Sequence, residues 1–136
     1  YLYIDQECSV IDPRLTVFEQ TERFNTGNWA EHELKSILNR YLFPYDTWDK
    51  GCACLSGGEK IRLLFCCLMI GNNAPDVFIL DEPTNNLDIQ SVEIITAAIK
   101  SYRGTVLLIS HDHYFVKEIK INRSIKLFDT GSVIKI

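Results

Sequence analysis

Hydrophobic residues in the first half of the chain recur at the spacing of helices. The pattern predicts one helix over about residues 15–24 and a second over about residues 30–42, which a proline ends. The face that the second helix would bury carries Leu34, Ile37, Leu38, Tyr41 and Leu42. A third apolar run begins after Ser56 and predicts a helix that continues to about Ile70. Residues 8–54 are therefore expected to form a mostly helical insert ahead of this third helix.

From residue 76 onward the pattern changes to an alternation of strand and helix. Residues 77–80 are a continuous apolar run, which is typical of a parallel strand covered on both faces. A helix over about residues 89–102 follows, with Gly104 as its C-terminal stop, and residues 105–109 form a second β-rich run. Together these segments predict a βαβ unit, in which a right-handed crossover makes the two strands parallel.

Shorter segments complete the predicted secondary structure. Residues 1–4 have the alternation of a strand, and a short helix is expected near residues 114–120. Residues 124–128 and 132–136 flank the turn-forming residues 129–131 and predict a C-terminal β-hairpin. The predicted fold class is therefore α/β with parallel strands.

The composition is that of one folded domain of ordinary size. The chain has 136 residues, 46% of them hydrophobic, and its 14 Lys or Arg and 18 Asp or Glu give a net charge of −4. No stretch approaches the ~20 apolar residues of a membrane span, and the first residues lack the pattern of a signal peptide. The five cysteines show no zinc-binding spacing and indicate reduced thiols. These features favour a cytoplasmic protein.

Positive charge is concentrated towards the C-terminal end. Residues 100–136 hold seven basic and three acidic side chains, whereas residues 1–99 hold seven basic and fifteen acidic ones. Four of these basic residues can contact phosphates, but they interleave with isoleucines: Lys117, Lys120, Arg123 and Lys126. That alternation is typical of a solvated amphipathic face, which is the favoured interpretation over a nucleic-acid site.

Polar side chains follow each strand of the predicted βαβ unit. Asp81 and Glu82 follow the first strand, and His111 follows the second. Because the carboxyl ends of parallel strands meet at one edge of a sheet, we expect these three residues to converge where α/β sheets bind ligands. Asp81 is suited to hold Mg²⁺, directly or through water, Glu82 to activate a water, and His111 to hydrogen-bond a phosphate oxygen. The alternative is an ordinary polar turn after a strand.

Two consecutive glycines open the third helix. Ser56 as N-cap and Glu59 three residues later form a capping box, which starts a helix without any ligand. The box does not explain Gly57 and Gly58, because each glycine sacrifices about 1 kcal/mol relative to alanine in a helix. Bare backbone amides at a helix N-terminus favour an anion, so the predicted ligand is phosphate.

Three segments resemble motifs of ATP-binding cassette ATPases, and they occur in the order of that family. The signature motif is matched by LSGGEKIRL (residues 55–63), and the Walker B strand with its D-loop by VFILDEPTNNLD (residues 77–88). The switch-histidine segment is matched by LLISHDHYFV (residues 107–116). Gln6 stands where the family has its Q-loop glutamine. The resemblance covers essentially the whole chain.

The resemblance implies a partial P-loop NTPase (RecA-like) core with parallel strands, a mostly helical insert subdomain and a C-terminal β-hairpin. It divides the chain into a Q-loop strand and turn (residues 1–7), a helical subdomain that ends in the signature helix (8–70) and the C-terminal part of the ATPase core (71–136). No glycine-rich phosphate loop ending in Gly-Lys-Ser or Gly-Lys-Thr occurs. We therefore expect a fragment whose upstream part holds that loop, and which does not hydrolyse ATP alone.

The resemblance also implies a site for ATP and Mg²⁺. Asp81 would position Mg²⁺, Glu82 would be the general base, and His111 would contact the γ-phosphate. Gln6 would couple the metal site to the helical insert.

A second group of residues would serve an opposing cassette. Ser56, Gly57 and Gly58, with Glu59 beside them, would complete the site of ATP held by that partner. Asp88 would lie at the interface between the two cassettes.

The flanking letters PTNNLD, SHDHYF and YIDQ resemble the ABC-F subfamily, whose members pair two cassettes in one polypeptide without transmembrane domains and act mainly on ribosomes, in translation control or antibiotic protection. Asn86 and His113 depart from that pattern, since ABC-F proteins often have histidine and arginine there. One alternative is the ATP-binding subunit of a membrane transporter, with permease domains as partners. Another is a non-catalytic dimerisation or docking module, against which the presence of Glu82 and His111 argues.

Overall fold

The structure, a computed structural model, describes residues 1–4, 8–71, 75–127 and 133–135. Its helices and strands are β1 (Leu2–Ile4), α1 (Val17–Arg23), α2 (Glu31–Arg40), α3 (Gly57–Ile70), β2 (Val77–Asp81), α4 (Ile89–Ser101), β3 (Thr105–Ile109), α5 (His113–Ile119), β4 (Ile125–Leu127) and β5 (Val133–Lys135). Two short 3₁₀ turns, Tyr45–Thr47 and Cys52–Cys54, separate α2 from α3. None of the helices in the described ranges has the length and apolar character needed to cross a bilayer.

Three parallel strands form the sheet, in the order β1-β2-β3. Tyr3 pairs with Ile79, and Asp81 at the end of β2 pairs with Ile109 at the end of β3. This register confirms the predicted parallel arrangement of the two strands that α4 connects. The strands β4 and β5 pair separately as an antiparallel ribbon, and the residues between them, 128–132, lie outside the described residues.

The core is built around α3, which contacts α1, α2 and α4. Its side chains Leu63, Leu64, Cys66 and Cys67 are completely buried. Burial raises the pKa of the Cys67 thiol well above its usual value, which keeps that group neutral and suits it to packing. Phe78 of β2 packs between Phe65 and Tyr102, with ring centroids 6.4 Å and 4.2 Å away. The helical first half and the sheet therefore share one apolar core.

Only one face of the sheet is covered within the described residues, which corrects the expectation that the strand 77–80 is covered on both faces. In β2, Phe78 and Leu80 are buried, whereas Ile79 on the opposite face is partly exposed. Leu107 and Ile109 of β3, on the same face as Ile79, are about half exposed, at 51% and 49%. The apolar composition of a strand shows which environment it suits. A strand is buried on both faces only if an element packs on each of them. None of the described residues forms such an element on the face that carries Leu107 and Ile109.

The C-terminal end of α2 lies at Arg40 rather than near Leu42. Leu42 has φ 61°, in the left-handed region, and so cannot continue a right-handed helix. The Arg62 guanidinium lies 3.3 Å from the carbonyl oxygen of Tyr41 and 3.4 Å from that of Leu42. A long-range contact from α3 thus lies at the point where α2 stops.

Gly104 is not the cap of α4, contrary to the expectation. The helix ends at Ser101, and Tyr102 already has extended backbone angles, φ −72° and ψ 135°. A Cβ atom at Gly104 would instead collide with the ring of Tyr102. A glycine at this position leaves room for that ring, which packs on Phe78.

Candidate functional site

The carboxyl ends of β2 and β3 carry the predicted acidic pair and the predicted histidine. Glu82, which follows β2, has φ 47° and donates its backbone N–H to the carbonyl oxygen of Ile109 at 2.8 Å. A positive φ is strained for a residue with a side chain, so this hydrogen bond to the end of β3 holds Glu82 in a conformation it would otherwise avoid. The turn is therefore tied to the neighbouring strand.

Glu82 and His111 lie side by side at this edge. The backbone N–H of His111 donates to Glu82 Oε2 at 3.3 Å, and His111 Nε2 lies 3.5 Å from Glu82 Oε1, without hydrogen-bond geometry. The Glu82 side chain is only 13% exposed, whereas that of His111 is 97% exposed. Glu82 Oε1 is buried and accepts no hydrogen bond from the described residues. A buried carboxylate oxygen without a partner is rare, and it is suited to accept a hydrogen bond from a water or substrate.

Asp81 lies on the same edge, one residue before Glu82. Its Oδ2 accepts a hydrogen bond from the Tyr3 hydroxyl at 3.0 Å. No Lys, Arg or His of the described residues forms an ion pair with it. Mg²⁺ prefers one or two carboxylates together with phosphate oxygens and waters. A carboxylate without a cationic partner, at the edge where β2 ends, fits such an ion.

The capping box at Ser56 is present as the sequence predicts. The Ser56 hydroxyl accepts from the Glu59 backbone N–H at 3.2 Å, and Glu59 Oε2 accepts from the Ser56 N–H at 2.8 Å. Lys50 Nζ lies 2.9 Å from Glu59 Oε1. Burial raises the pKa of Glu59, but the hydrogen bonds from Lys50 and Ser56 outweigh it, and the net pKa is lowered. Glu59 is therefore engaged in starting the helix.

The two glycines of α3 have different surroundings. A Cβ atom at Gly57 would meet nothing within 4 Å, so the first turn of this helix is open to a ligand. A Cβ atom at Gly58 would come within 3.0 Å of Leu87 Cδ2. Close packing against Leu87 is therefore a sufficient reason for a glycine at position 58, without any ligand. The expectation that a glycine makes room for phosphate is needed only to explain Gly57.

Asp88 is the N-cap of α4. Its carboxylate accepts from the Ser91 backbone N–H at 2.8 Å and from the Ser91 hydroxyl at 2.9 Å, and these hydrogen bonds lower the pKa of Asp88. The residue is exposed. Its place at an interface between cassettes stays a prediction.

The predicted site residues fall into two groups in the structure. One group gathers at the edge of the sheet and consists of Asp81, Glu82 and His111. The other lies along the start of α3 and the turn before α4 and consists of Ser56, Gly57, Gly58, Glu59 and Asp88. Within the described residues no hydrogen bond or ion pair joins the two groups. Gln6 lies outside the described residues.

Sequence reasoning missed Tyr3 and Leu87. The alternation of β1 places Tyr3 on one face of the sheet, but only the register with β2 shows that its hydroxyl reaches Asp81. Leu87 is an apolar residue in a polar turn, which signals a packing contact without naming its partner.

The chain is similar in sequence to proteins of one known family. A family model described as ABC transporter matches residues 1–85. ABC transporter F family member 5 of Arabidopsis thaliana is 42% identical over 128 residues, which cover 93% of this chain and 18% of that protein. Probable ATP-binding protein YbiT of Escherichia coli is 43% identical over 105 residues, which cover 77% of this chain and 19% of that protein. The chain spans about a fifth of the length of these curated relatives.

The fold is also similar to that of a solved structure described as a dimeric, post-hydrolysis state of an ATP-binding cassette bound to ADP and Pi. The TM-score is 0.62 at 21% identity, and the match covers 85% of this chain and 54% of that one. At this level of identity the similarity establishes the fold.

Proposed function

The chain belongs to the ABC transporter family, and we propose that it is the C-terminal part of an ATP-binding cassette and carries groups with which the complete protein hydrolyses ATP to ADP and phosphate. One observation carries the proposal. The carboxylate of Glu82 is held at the ends of two parallel strands, beside His111, with one oxygen that accepts no hydrogen bond from the described residues. That is the edge of an α/β sheet where ligands bind.

Glu82 is proposed as the general base. Such a base must reach the proton it removes, and Glu82 Oε1 is the carboxylate oxygen left free to accept a hydrogen bond from a water. The low exposure of the side chain and its hydrogen bond to the His111 amide hold it in one orientation. Because the Glu82 carboxylate is already oriented, it does not have to reorient when the reaction takes place.

His111 is proposed to contact the γ-phosphate. Its imidazole is almost fully exposed at the end of β3, next to the carboxylate of Glu82. An N–H of this ring can donate to a phosphate oxygen that gains charge in the transition state.

Asp81 is proposed to hold Mg²⁺, directly or through water, and Gln6 to couple that metal site to the helical segment. Mg²⁺, when bound, offsets negative charge on the phosphate oxygens. Asp81 supports the proposal because it is an acceptor without a cationic partner in the described residues.

The start of α3 is proposed to act on ATP held by a second cassette. Gly57 leaves the first turn of this 14-residue helix open, and Ser56 is exposed beside it. Amides at the N-terminus of a helix favour an anion such as the γ-phosphate. Asp88 would lie at the interface between the two cassettes.

The segments are proposed to divide as a Q-loop strand (residues 1–7), a helical subdomain (8–70) and part of a RecA-like core (71–136). Because the phosphate loop does not occur in this sequence, we expect ATP hydrolysis from the complete protein and not from this chain alone.

Replacement of Glu82 by glutamine in the complete protein tests the proposal. Glu82→Gln keeps the shape of the side chain and removes the base, so we expect the hydrolysis rate to fall by about 10²- to 10⁴-fold with ATP binding retained. Glu93→Gln is the matched control, because Glu93 is an exposed carboxylate on α4. Equal rates in Glu82→Gln and Glu93→Gln would refute the proposal.

The partner of the complete protein is proposed to be the ribosome, on the basis of the resemblance to ABC-F proteins and the identity to an F family member. The Glu82→Gln variant, locked with ATP, should then co-sediment with ribosomes, and ADP should release it. Recovery with membranes instead of ribosomes would favour a transporter subunit.

A further inference from the structure

The hydroxyl of Tyr3 reaches from one strand to the carboxylate that ends the next. In the parallel pair β1 and β2, Tyr3 is opposite Ile79. Asp81 is two residues further along, so its side chain lies on the same face of the sheet as those of Tyr3 and Ile79. The long tyrosine side chain spans this offset, and its Oη lies 3.0 Å from Asp81 Oδ2.

We propose that Tyr3 is a positioning residue for Asp81: its hydroxyl holds Oδ2, which fixes the carboxylate so that Oδ1 is presented to a divalent cation. The inference rests on the proposed function of Asp81 as the residue that holds the cation. Within the described residues the Tyr3 hydroxyl is the hydrogen-bond donor to the Asp81 side chain. No Lys, Arg or His of these residues forms an ion pair with the Asp81 carboxylate.

The physical reason is the freedom of an exposed carboxylate. Asp81 ends a strand at a partly exposed edge, where its side chain can rotate unless a neighbour orients it. A hydrogen bond to the oxygen that does not face the metal restricts this rotation, so less order has to be gained when the ion binds. Loss of such a partner typically weakens metal binding by about 10- to 100-fold.

A different role for Tyr3 is simple packing at the edge of the sheet. The side chain is 44% exposed and lies on the same face of the sheet as Leu107 and Ile109. The two roles separate cleanly, because Tyr3→Phe keeps the ring and removes only the hydroxyl.

The test compares Tyr3→Phe with Tyr1→Phe in the complete protein. Tyr1 lies directly before β1 and is 89% exposed, and its hydroxyl makes no hydrogen bond within the described residues, so Tyr1→Phe controls for the loss of a tyrosine hydroxyl as such. Mn²⁺ serves as the probe, and its affinity in the presence of ADP is measured by electron paramagnetic resonance. We expect the Kd for Mn²⁺ to rise about tenfold in Tyr3→Phe and to stay within about twofold of wild type in Tyr1→Phe.

ATP hydrolysis as a function of Mg²⁺ concentration gives the second readout. The positioning role predicts that Tyr3→Phe needs about tenfold more Mg²⁺ for half-maximal rate, while kcat at saturating Mg²⁺ and the temperature of unfolding stay close to wild type. A fall in kcat that excess Mg²⁺ does not restore, together with a lower unfolding temperature, would make the role structural and overturn the inference.

Asp81→Asn separates failure of this inference from failure of the proposed function. If Asp81→Asn weakens Mn²⁺ binding and Tyr3→Phe does not, Tyr3 does not position Asp81, and the proposed function stands. If Asp81→Asn leaves Mn²⁺ affinity unchanged, Asp81 does not hold the cation, and both proposals fall.

Discussion

At the scale of single residues, Glu82 combines backbone strain with a buried, unsatisfied oxygen. Its φ of 47° lies in a region that costs a residue with a Cβ about 1–2 kcal/mol. The hydrogen bonds from its backbone to Ile109 and from His111 to its carboxylate hold it there. Strained backbone of this kind concentrates at functional sites, where the surrounding structure imposes it. Positive φ alone does not mark a site, since five other described residues with side chains share it, among them Leu42. At Glu82 it coincides with a buried oxygen that accepts no hydrogen bond from the described residues.

Because of the strain at Glu82, we predict that a glycine variant is more stable than an alanine variant at this position, which is the reverse of their usual order of stability. Both Glu82→Gly and Glu82→Ala remove the carboxylate, but only alanine keeps the Cβ that makes a positive φ costly. We expect Glu82→Gly to be more stable than Glu82→Ala by about 1 kcal/mol, measured as the free energy of unfolding in urea. A glycine variant less stable than the alanine variant would show that φ at this position is not held positive.

At the scale of elements, the start of α3 could be predicted from the sequence because every determinant is local. Ser56 and Glu59 supply the capping box, and the apolar run behind them gives the helical period, so the observed Gly57–Ile70 matches the predicted span. The end of α2 could not be predicted in this way. It depends on the left-handed conformation of Leu42 and on Arg62, which is twenty residues away along the chain.

The capping box predicts a pH dependence for the stability of α3. Hydrogen bonds from Lys50 and Ser56 favour the ionised form of Glu59 and, against the effect of burial, lower its pKa in the folded state. A carboxyl group with a lowered folded pKa contributes stability above its unfolded pKa and loses it as pH falls through the folded value. We therefore expect the stability difference between wild type and Glu59→Gln to be largest near neutral pH and to close below about pH 4.5, the usual value for this group.

Thermal unfolding of both proteins between pH 7 and pH 3 measures this difference. Glu93→Gln controls for the loss of one exposed carboxylate on a helix. A gap between wild type and Glu59→Gln that is constant over this range would contradict a role for the ionised carboxylate in the cap.

At the scale of the whole molecule, the sequence predicts that two strands run parallel and that their ends carry acids and a histidine. The structure confirms the parallel arrangement, and it brings Glu82 and His111 together. The sequence does not predict which side chains of β1 face those of β2, because the register depends on how all three strands pack. The hydrogen bond from Tyr3 to Asp81 could therefore be found only in the structure.

The exposure of one face of the sheet also could not be predicted from the sequence. The apolar character of the strands suits burial on both sides, yet Leu107 and Ile109 are about half exposed here. A sequence pattern indicates the environment that a strand favours, whereas its burial depends on helices or strands that pack against each face of the sheet.

The central claim is that Glu82, which activates the water, and His111, which contacts the γ-phosphate, serve one reaction at one site, and a double-mutant cycle of ATP hydrolysis tests it most directly. The rates of the complete protein, Glu82→Gln, His111→Ala and the double variant are measured at saturating ATP and Mg²⁺. Because the two side chains share one site at 3.5 Å, we expect each single variant to lose about 10²-fold or more, and the double variant to lose little beyond the worse single one. Losses that multiply in the double variant would mean that the two residues act independently, and they would contradict the account.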